Sequence, residues 1–303
     1  MSHDRGHRFQ QVIGDEFVHE NLLINPGFET WQRGAGPVSI APNGRAFLAD
    51  EWEATCGPSG GGTTSYRQST SPHSGSIAAD VNYTGTQVCN FMQGIEAARS
   101  LSGLWLTFSA WVKTTGMDVK VGIGDYTAGM EVVEVPHSGS GNWEQLTVRK
   151  LIRSGLTSSV VWPHDFPLIV YVYTTSAARF YVDSAMLVPG NFPEGVPFVP
   201  SNRADDWEKC QRFYETGSCF FGHAASPGPT ATEFDVWLGF RVRKYTTPTL
   251  SDTFTSGGGS YAGSYLKNAS PTAEGIGMGI GNISGDPAHG NSGGTYAWTA
   301  YIP

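Results

Sequence analysis

Gly57-Pro58-Ser59-Gly60-Gly61 has the G-x-S-x-G spacing of a serine nucleophile elbow, in which the serine sits on a sharp turn between a strand and a helix. A proline and a run of glycines stand where the strand end and the helix start belong, so no acyl-transfer chemistry is expected of Ser59. Carboxylates offer a second chemistry: Glu131, Glu134, Glu144 and Asp165 fall on or beside strand patterns, and two carboxyls about 5 to 9 Å apart would serve glycoside hydrolysis. The sequence fixes no such pair, and solvated strand faces account for all four. The eight histidines include no H-E-x-x-H and no H-x-H, which leaves catalytic zinc without a motif. His3 and His7 have the spacing of two ligands on a helix, but Gly6 between them makes that helix poor.

Recognition is the chemistry that remains. Sugars are commonly held by an exposed aromatic ring with a few placed polar groups around it. Tyr83 near Asn82 and Thr84, Tyr126 beside Asp125, and Trp162 with His164 and Asp165 occupy expected turns, and Tyr83, Tyr126, Trp162, His164 and Asp165 are therefore the candidate sugar contacts. Trp31, Trp52, Trp105, Trp111 and Trp143 lie within strand patterns and are expected in the core.

The elements that must position these residues are strands. With 39 glycines, 12% aromatic and only 15% charged residues, the 303-residue chain has the composition of an all-β protein with many turns, and its length allows two domains. A formal charge of −8 and the lack of a basic stripe argue against nucleic-acid binding. Cys56, Cys89, Cys210 and Cys219 are too few and too dispersed for a disulfide framework and contain no C-x-x-C, so they are expected to be reduced, buried thiols. No apolar run reaches about 18 residues and the N-terminus has no apolar signal region, so neither membrane insertion nor export by a signal peptide is expected.

Residues 1–19 are polar, without sustained periodicity, and read as a flexible arm. Residues 20–190 read as a β-sandwich, with strands at 45–56, 63–69, 76–83, 87–95, 104–113, 119–123, 131–135, 143–151, 168–173 and 179–188. Leu104, Leu106, Phe108 and Ala110 share one sheet face, as do Val119, Val121 and Ile123. About ten strands fit a two-sheet jelly roll, and no propeller-type repeat is present. In 191–216 a proline-rich connector, expected to hug a surface, leads into a short helix capped by Asp205, striped by Trp207, Cys210 and Tyr214, and ended by Gly217. Residues 217–303 read as a smaller glycine-rich β-domain. There Gly275, Gly277, Gly279 and Gly281 alternate with apolar residues, leaving one strand face bare for an oligomer contact or a tight sheet corner.

Asn25-Pro26-Gly27-Phe28-Glu29, its extension Trp31-Gln32-Arg33-Gly34, Asp50-Glu51-Trp52, Phe180-Tyr181-Val182-Asp183 and Cys210-Gln211-Arg212-Phe213-Tyr214 together resemble bacteriophage tail-fibre and virion surface proteins that carry a jelly roll like that of carbohydrate-binding modules. Asp50-Glu51-Trp52 stands where Asp-Arg-Trp is more usual, so no ion pair is expected there. The resemblance implies a virion-surface fibre or spike that assembles in the host cytoplasm and binds a host cell-surface glycan without catalysis. It also implies an N-terminal arm that docks on other virion proteins. With the bare glycine strand it is read as a homotrimer. A capsid decoration or head-fibre protein, and a polysaccharide depolymerase or esterase, are the alternatives. No cofactor is required; a structural calcium between Glu29 and Asp183 is the possible exception that the resemblance brings.

Overall fold

The computed structural model describes residues 10–13, 16–57, 63–96, 98–157 and 166–224, and the strands at 234–239, 249–255, 265–271, 275–281 and 289–299. Two compact units make up the chain, 1–206 and 207–303. The first opens with a hairpin of β1 (Gln10–Ile13) and β2 (Glu16–His19), so the expected irregular arm contains paired strands. A sandwich follows, formed by β3 (Val38–Ile40), β4 (Arg45–Phe47), β5 (Glu53–Thr55), β6 (Thr64–Ser69), β7 (Ala78–Tyr83), β8 (Cys89–Gly94), β9 (Trp105–Thr114), β10 (Lys120–Tyr126), β11 (Met130–Pro136), β12 (Trp143–Leu151), β13 (Leu168–Thr174) and β14 (Ala178–Pro189).

One sheet runs β12-β9-β14-β7-β6-β3 and the other β11-β10-β13-β8-β5-β4, with every neighbouring pair antiparallel. From β7 to β14 every connection except the β10–β11 hairpin passes from one sheet to the other, the wrapping of a jelly roll. The expected period-two pattern holds in β9: Leu106, Phe108, Ala110 and Val112 are buried against the opposite sheet. Leu104 falls just before the strand and is exposed.

The expected strand 45–56 is divided in two by a turn that drops Trp52 into the core. Trp52 is wholly buried, stacked on Phe91 at 5.0–5.8 Å spacing shared with Phe28: 5.1 Å to Phe91, 5.0 Å from Phe28 to Trp52 and 5.8 Å from Phe28 to Phe91. Its indole Nε1 donates to the carbonyls of Ile24 and Asn25, both at 3.2 Å. Asn25 in turn fixes the first turn by exchanging side-chain hydrogen bonds with the Thr30 backbone, Nδ2 to O at 2.9 Å and N to Oδ1 at 3.0 Å. Phe28 has φ 57°, a costly conformation for a bulky residue, held by its burial in this aromatic cluster. The two ends of the sandwich meet. Asn21 Nδ2 donates to Ala185 O, Leu187 N to Asn21 Oδ1, and Leu22 N to Leu187 O.

Asp50 does make an ion pair, contrary to expectation. Arg33 Nη1 lies 3.4 Å from Asp50 Oδ1, while Gln32 donates to Asp50 through its backbone N (3.3 Å) and Nε2 (2.6 Å). The cation comes from the Trp31-Gln32-Arg33-Gly34 segment instead of from position 51.

The connector follows the surface, as expected. Thr107 Oγ1 donates to Gly190 O and accepts from Phe192 N, Ser109 Oγ donates to Val196 O, and Phe192 and Val196 pack with Met186 and Val188. The helix α1 (Arg203–Gln211) begins earlier than expected: Asn202, not Asp205, is its cap, its Oδ1 accepting from Ala204 N at 2.9 Å. It ends at Gln211, so Gly217 is no helix terminus; it lies within β15 (Tyr214–Ala224). Of the expected stripe only Cys210 is buried. Trp207 is 41% exposed, and Tyr214 begins a strand.

In the second unit β15, β16 (Phe234–Gly239), β17 (Thr249–Thr255), β18 (Tyr265–Pro271), β19 (Gly275–Gly281) and β20 (His289–Thr299) form sheets β15-β20-β17 and β16-β19-β18. Gly275, Gly277, Gly279 and Gly281 lie on β19, the central strand of its sheet. Cys56, Cys89 and Cys210 are buried, and burial pushes the Cys89 thiol up to about 12.

Candidate functional site

On β9 and β12 the inward positions are filled by Phe108, Ala110, Val112, Leu146 and Val148, so Trp111 and Trp143 face outward. They are half-buried surface rings, not the core residues expected from the sequence. Tyr181 on β14 joins them: its ring lies 6.4 Å from Trp143 at 60°. His73, from the turn between β6 and β7, stacks on Trp111 at 3.6 Å and 11°, and meets Trp143 edge-on at 5.9 Å.

That turn is held by Asp183, whose Oδ2 accepts from His73 N and Ser74 N, both at 2.8 Å, while the Ser74 and Ser184 hydroxyls are 2.6 Å apart. Gly75 supplies the φ of +66° that closes it. Burial raises the Asp183 carboxyl above its ordinary range despite these donors. Beside the rings opens a cavity of about 480 Å³, lined by Glu29, Ser74, Trp111, Asp183, Phe198 and Arg203 among others. Glu29 and Asp183, far apart in sequence, thus reach one cavity.

On the other side of the rings Arg67 and Arg179 grip one carboxylate. Arg67 Nε is 2.7 Å from Asp80 Oδ2; Arg179 donates through Nε (2.9 Å, Oδ1) and Nη2 (2.7 Å, Oδ2). The Arg179 guanidinium also lies over the Tyr181 ring at 5.1 Å.

The other expected contacts are placed differently. Tyr83 is not a loop ring: it ends β7, is 2% exposed, and its hydroxyl accepts from Gln87 N. Tyr126 is half-buried at the end of β10, away from the strands that carry the outward tryptophans. Trp162, His164, Asp165 and Ser59 lie outside the described residues. Glu131, Glu134 and Glu144 are not merely solvated. Glu131 Oε1 accepts from Lys150 Nζ at 2.7 Å, and Glu134 accepts from the hydroxyls of Tyr171 (3.0 Å) and Tyr173 (2.9 Å). Glu144 accepts from Ser138 and Ser140, whose hydroxyls hold its carboxyl down at about 2.

Fold and site together define a jelly-roll β-sandwich unit with an aromatic-bearing outer sheet face. No protein-family model matches the chain, and no curated protein matches it. Among solved structures it is similar to TmCBM61 in complex with β-1,4-galactotriose, at 18% identity over 56% of this chain and 99% of that one (TM-score 0.33). It is also similar to the CBM22-1 xylan-binding domain of Paenibacillus barcinonensis Xyn10C, at 13% identity over 51% and 95% (TM-score 0.34). A third is the enzymatically active domain of bacteriophage CBA120 tailspike protein 4, at 10% identity over 56% and 21% (TM-score 0.34). The fold assignment rests on the strand order above and not on these scores.

Proposed function

We propose that the chain is a non-enzymatic virion-surface protein of a phage, a fibre or spike, whose sandwich unit binds a host cell-surface glycan on the outer face of the β12-β9-β14-β7-β6-β3 sheet. The observation that carries glycan binding is the gathering of Trp111, Trp143 and Tyr181 on one sheet face, next to a cavity whose lining includes Glu29, Ser74 and Asp183. Rings supply apolar area to a pyranose while the oxygens and guanidinium groups direct its hydroxyls. The virion setting, docking through residues 1–19 and a trimer built on the glycine-rich unit are supported by the sequence motifs; three linked sites would turn weak contacts into firm attachment. A role without catalysis is supported by the sequence, which gives Ser59 no strand–turn–helix context and offers no catalytic-zinc motif.

Affinity electrophoresis or calorimetry with host surface polysaccharide tests the binding. Trp143→Ala is expected to weaken it at least about tenfold, about 1.4 kcal/mol, with folding unchanged because the ring is on the surface. Retention of full affinity in the variant would sink the assignment to this face.

Calcium at Glu29 and Asp183 belongs to the same proposal. Two carboxylates in one cavity with the hydroxyls of Ser74 and Ser184 make an all-oxygen donor set, the kind calcium prefers. Among the described residues no three His, Cys, Asp or Glu side chains converge, so hydroxyl and carbonyl oxygens would have to complete the shell. With the ion at about 100 times its dissociation constant, EDTA is expected to remove about 2.7 kcal/mol and lower the melting temperature by several degrees. An unmoved melting curve together with metal-free protein by elemental analysis would exclude the ion.

A further inference from the structure

Across the aromatic face the strand register places five outward residues in one row: Trp143 opposite Lys113, Lys113 opposite Tyr181, Tyr181 opposite Asp80, and Asp80 opposite Arg67. At roughly 4.8 Å between neighbouring strands the row is about 19 Å long, enough for several sugar rings in line. Arg179, one pleat along, reaches into it through Asp80 and Tyr181.

The row is cationic in a chain whose formal charge is −8. Lys113, Arg67 and Arg179 bring three positive charges and Asp80 one negative. Asp80 is buried, whereas the side chains of Arg67 and Arg179 are 46% and 44% exposed. The carboxylate therefore works as an anchor: it fixes two planar guanidinium groups at the surface and neutralises only one of them. Arg67 directs one N–H to Asp80 and Arg179 directs two, out of about five donors on each group. The remaining donors are fixed in a geometry that suits a planar carboxylate. The carboxylates Glu29 and Asp183 stand at the opposite side, around the cavity.

We infer that the glycan recognised on this face is acidic, a uronate-bearing polysaccharide whose carboxylates meet Arg67, Arg179 and Lys113 while its rings lie along Trp143 and Tyr181. This rests on the glycan-binding reading above and names its ligand class. The test titrates the full chain with polygalacturonate and with its fully methyl-esterified form, which keeps the backbone and removes the charge. Polygalacturonate is expected to bind at least about tenfold more tightly, with affinity falling as salt rises. Lys113→Gln should weaken binding of the acidic polymer alone. So should the triple change Arg67→Gln, Asp80→Asn, Arg179→Gln, which removes the charges without leaving a buried carboxylate unpaired.

Equal affinity for the two polymers, or variants that bind polygalacturonate as the parent does, would overturn acidic specificity and leave glycan binding standing. If neither polymer binds and no host polysaccharide does, the glycan reading itself fails. Equal binding of single-stranded DNA would show a general polyanion surface and also overturn the proposal.

Discussion

Replacing Trp52 by alanine is expected to destabilise the sandwich unit by about 4 kcal/mol, the cost of truncating a fully buried large aromatic residue whose site collapses only in part. The indole fills the centre of the core against Phe28 and Phe91, and it also satisfies the carbonyls of Ile24 and Asn25. Its loss removes area, ring contacts and the donor that holds the first turn. Phe28 then keeps an unfavourable φ without the packing that compensates it. Urea unfolding followed by near-UV circular dichroism measures the change. Trp105→Ala is the control: that ring is 43% exposed, and the effect should stay within about 0.5 kcal/mol. Equal effects of the two substitutions would refute this picture of the core.

The second large effect concerns Asp50. Burial outweighs the Arg33 guanidinium and the Gln32 hydrogen bonds and pushes this carboxyl up to about 6, from an ordinary 3.8. Between those two pH values the folded protein keeps a proton that the unfolded chain has released. The group's favourable contribution is therefore complete below about pH 4, is lost as pH rises toward about 6, and stays lost above it. The size is on the order of 3 kcal/mol. Glu144, held down at about 2, contributes with the opposite sign and loses its stabilisation in acid, so the net curve mixes both. The difference between the parent and Asp50→Asn isolates the term. That difference should grow in favour of the variant from pH 4 to pH 6 and then level off. A difference that does not change with pH would show that Asp50 ionises in the folded protein as it does in the unfolded chain.

Much of the sandwich was legible because its signal is local. The alternation of Leu106, Phe108 and Ala110 forces one face of β9 inward whatever its neighbours do, and the run Leu168–Thr174, apolar or β-branched almost throughout, needs no partner to read as a buried strand. The same alternation implies that Trp111 points the other way. Its phase on the strand, not its membership of a strand, decides that this ring faces outward. Other features have no local signal. The turn that lays His73 on Trp111 is held by Asp183 from more than 100 residues away. Arg33 and Asp50 pair across the core's first turn, so a comparison of position 51 alone could not find the cation. Asn202 and Asp205 are both good caps by residue type, which does not choose between them.

Leu22 N donates to Leu187 O and Ala185 N to Pro26 O, while the Asn21 side chain bridges Ala185 O and Leu187 N, so the segment that enters the sandwich is fastened beside β14, the strand that leaves it. A mechanical pull between residue 20 and the connector would act on those few bonds in sequence, as on a zipper, instead of shearing them together. The connector's bonds to Thr107 and Ser109 share that load, so it enters the sheet at β9 and at the end of β14. Tension would first release the outermost strand ends and only then reach the aromatic face, which is built on β9, β12 and the middle of β14.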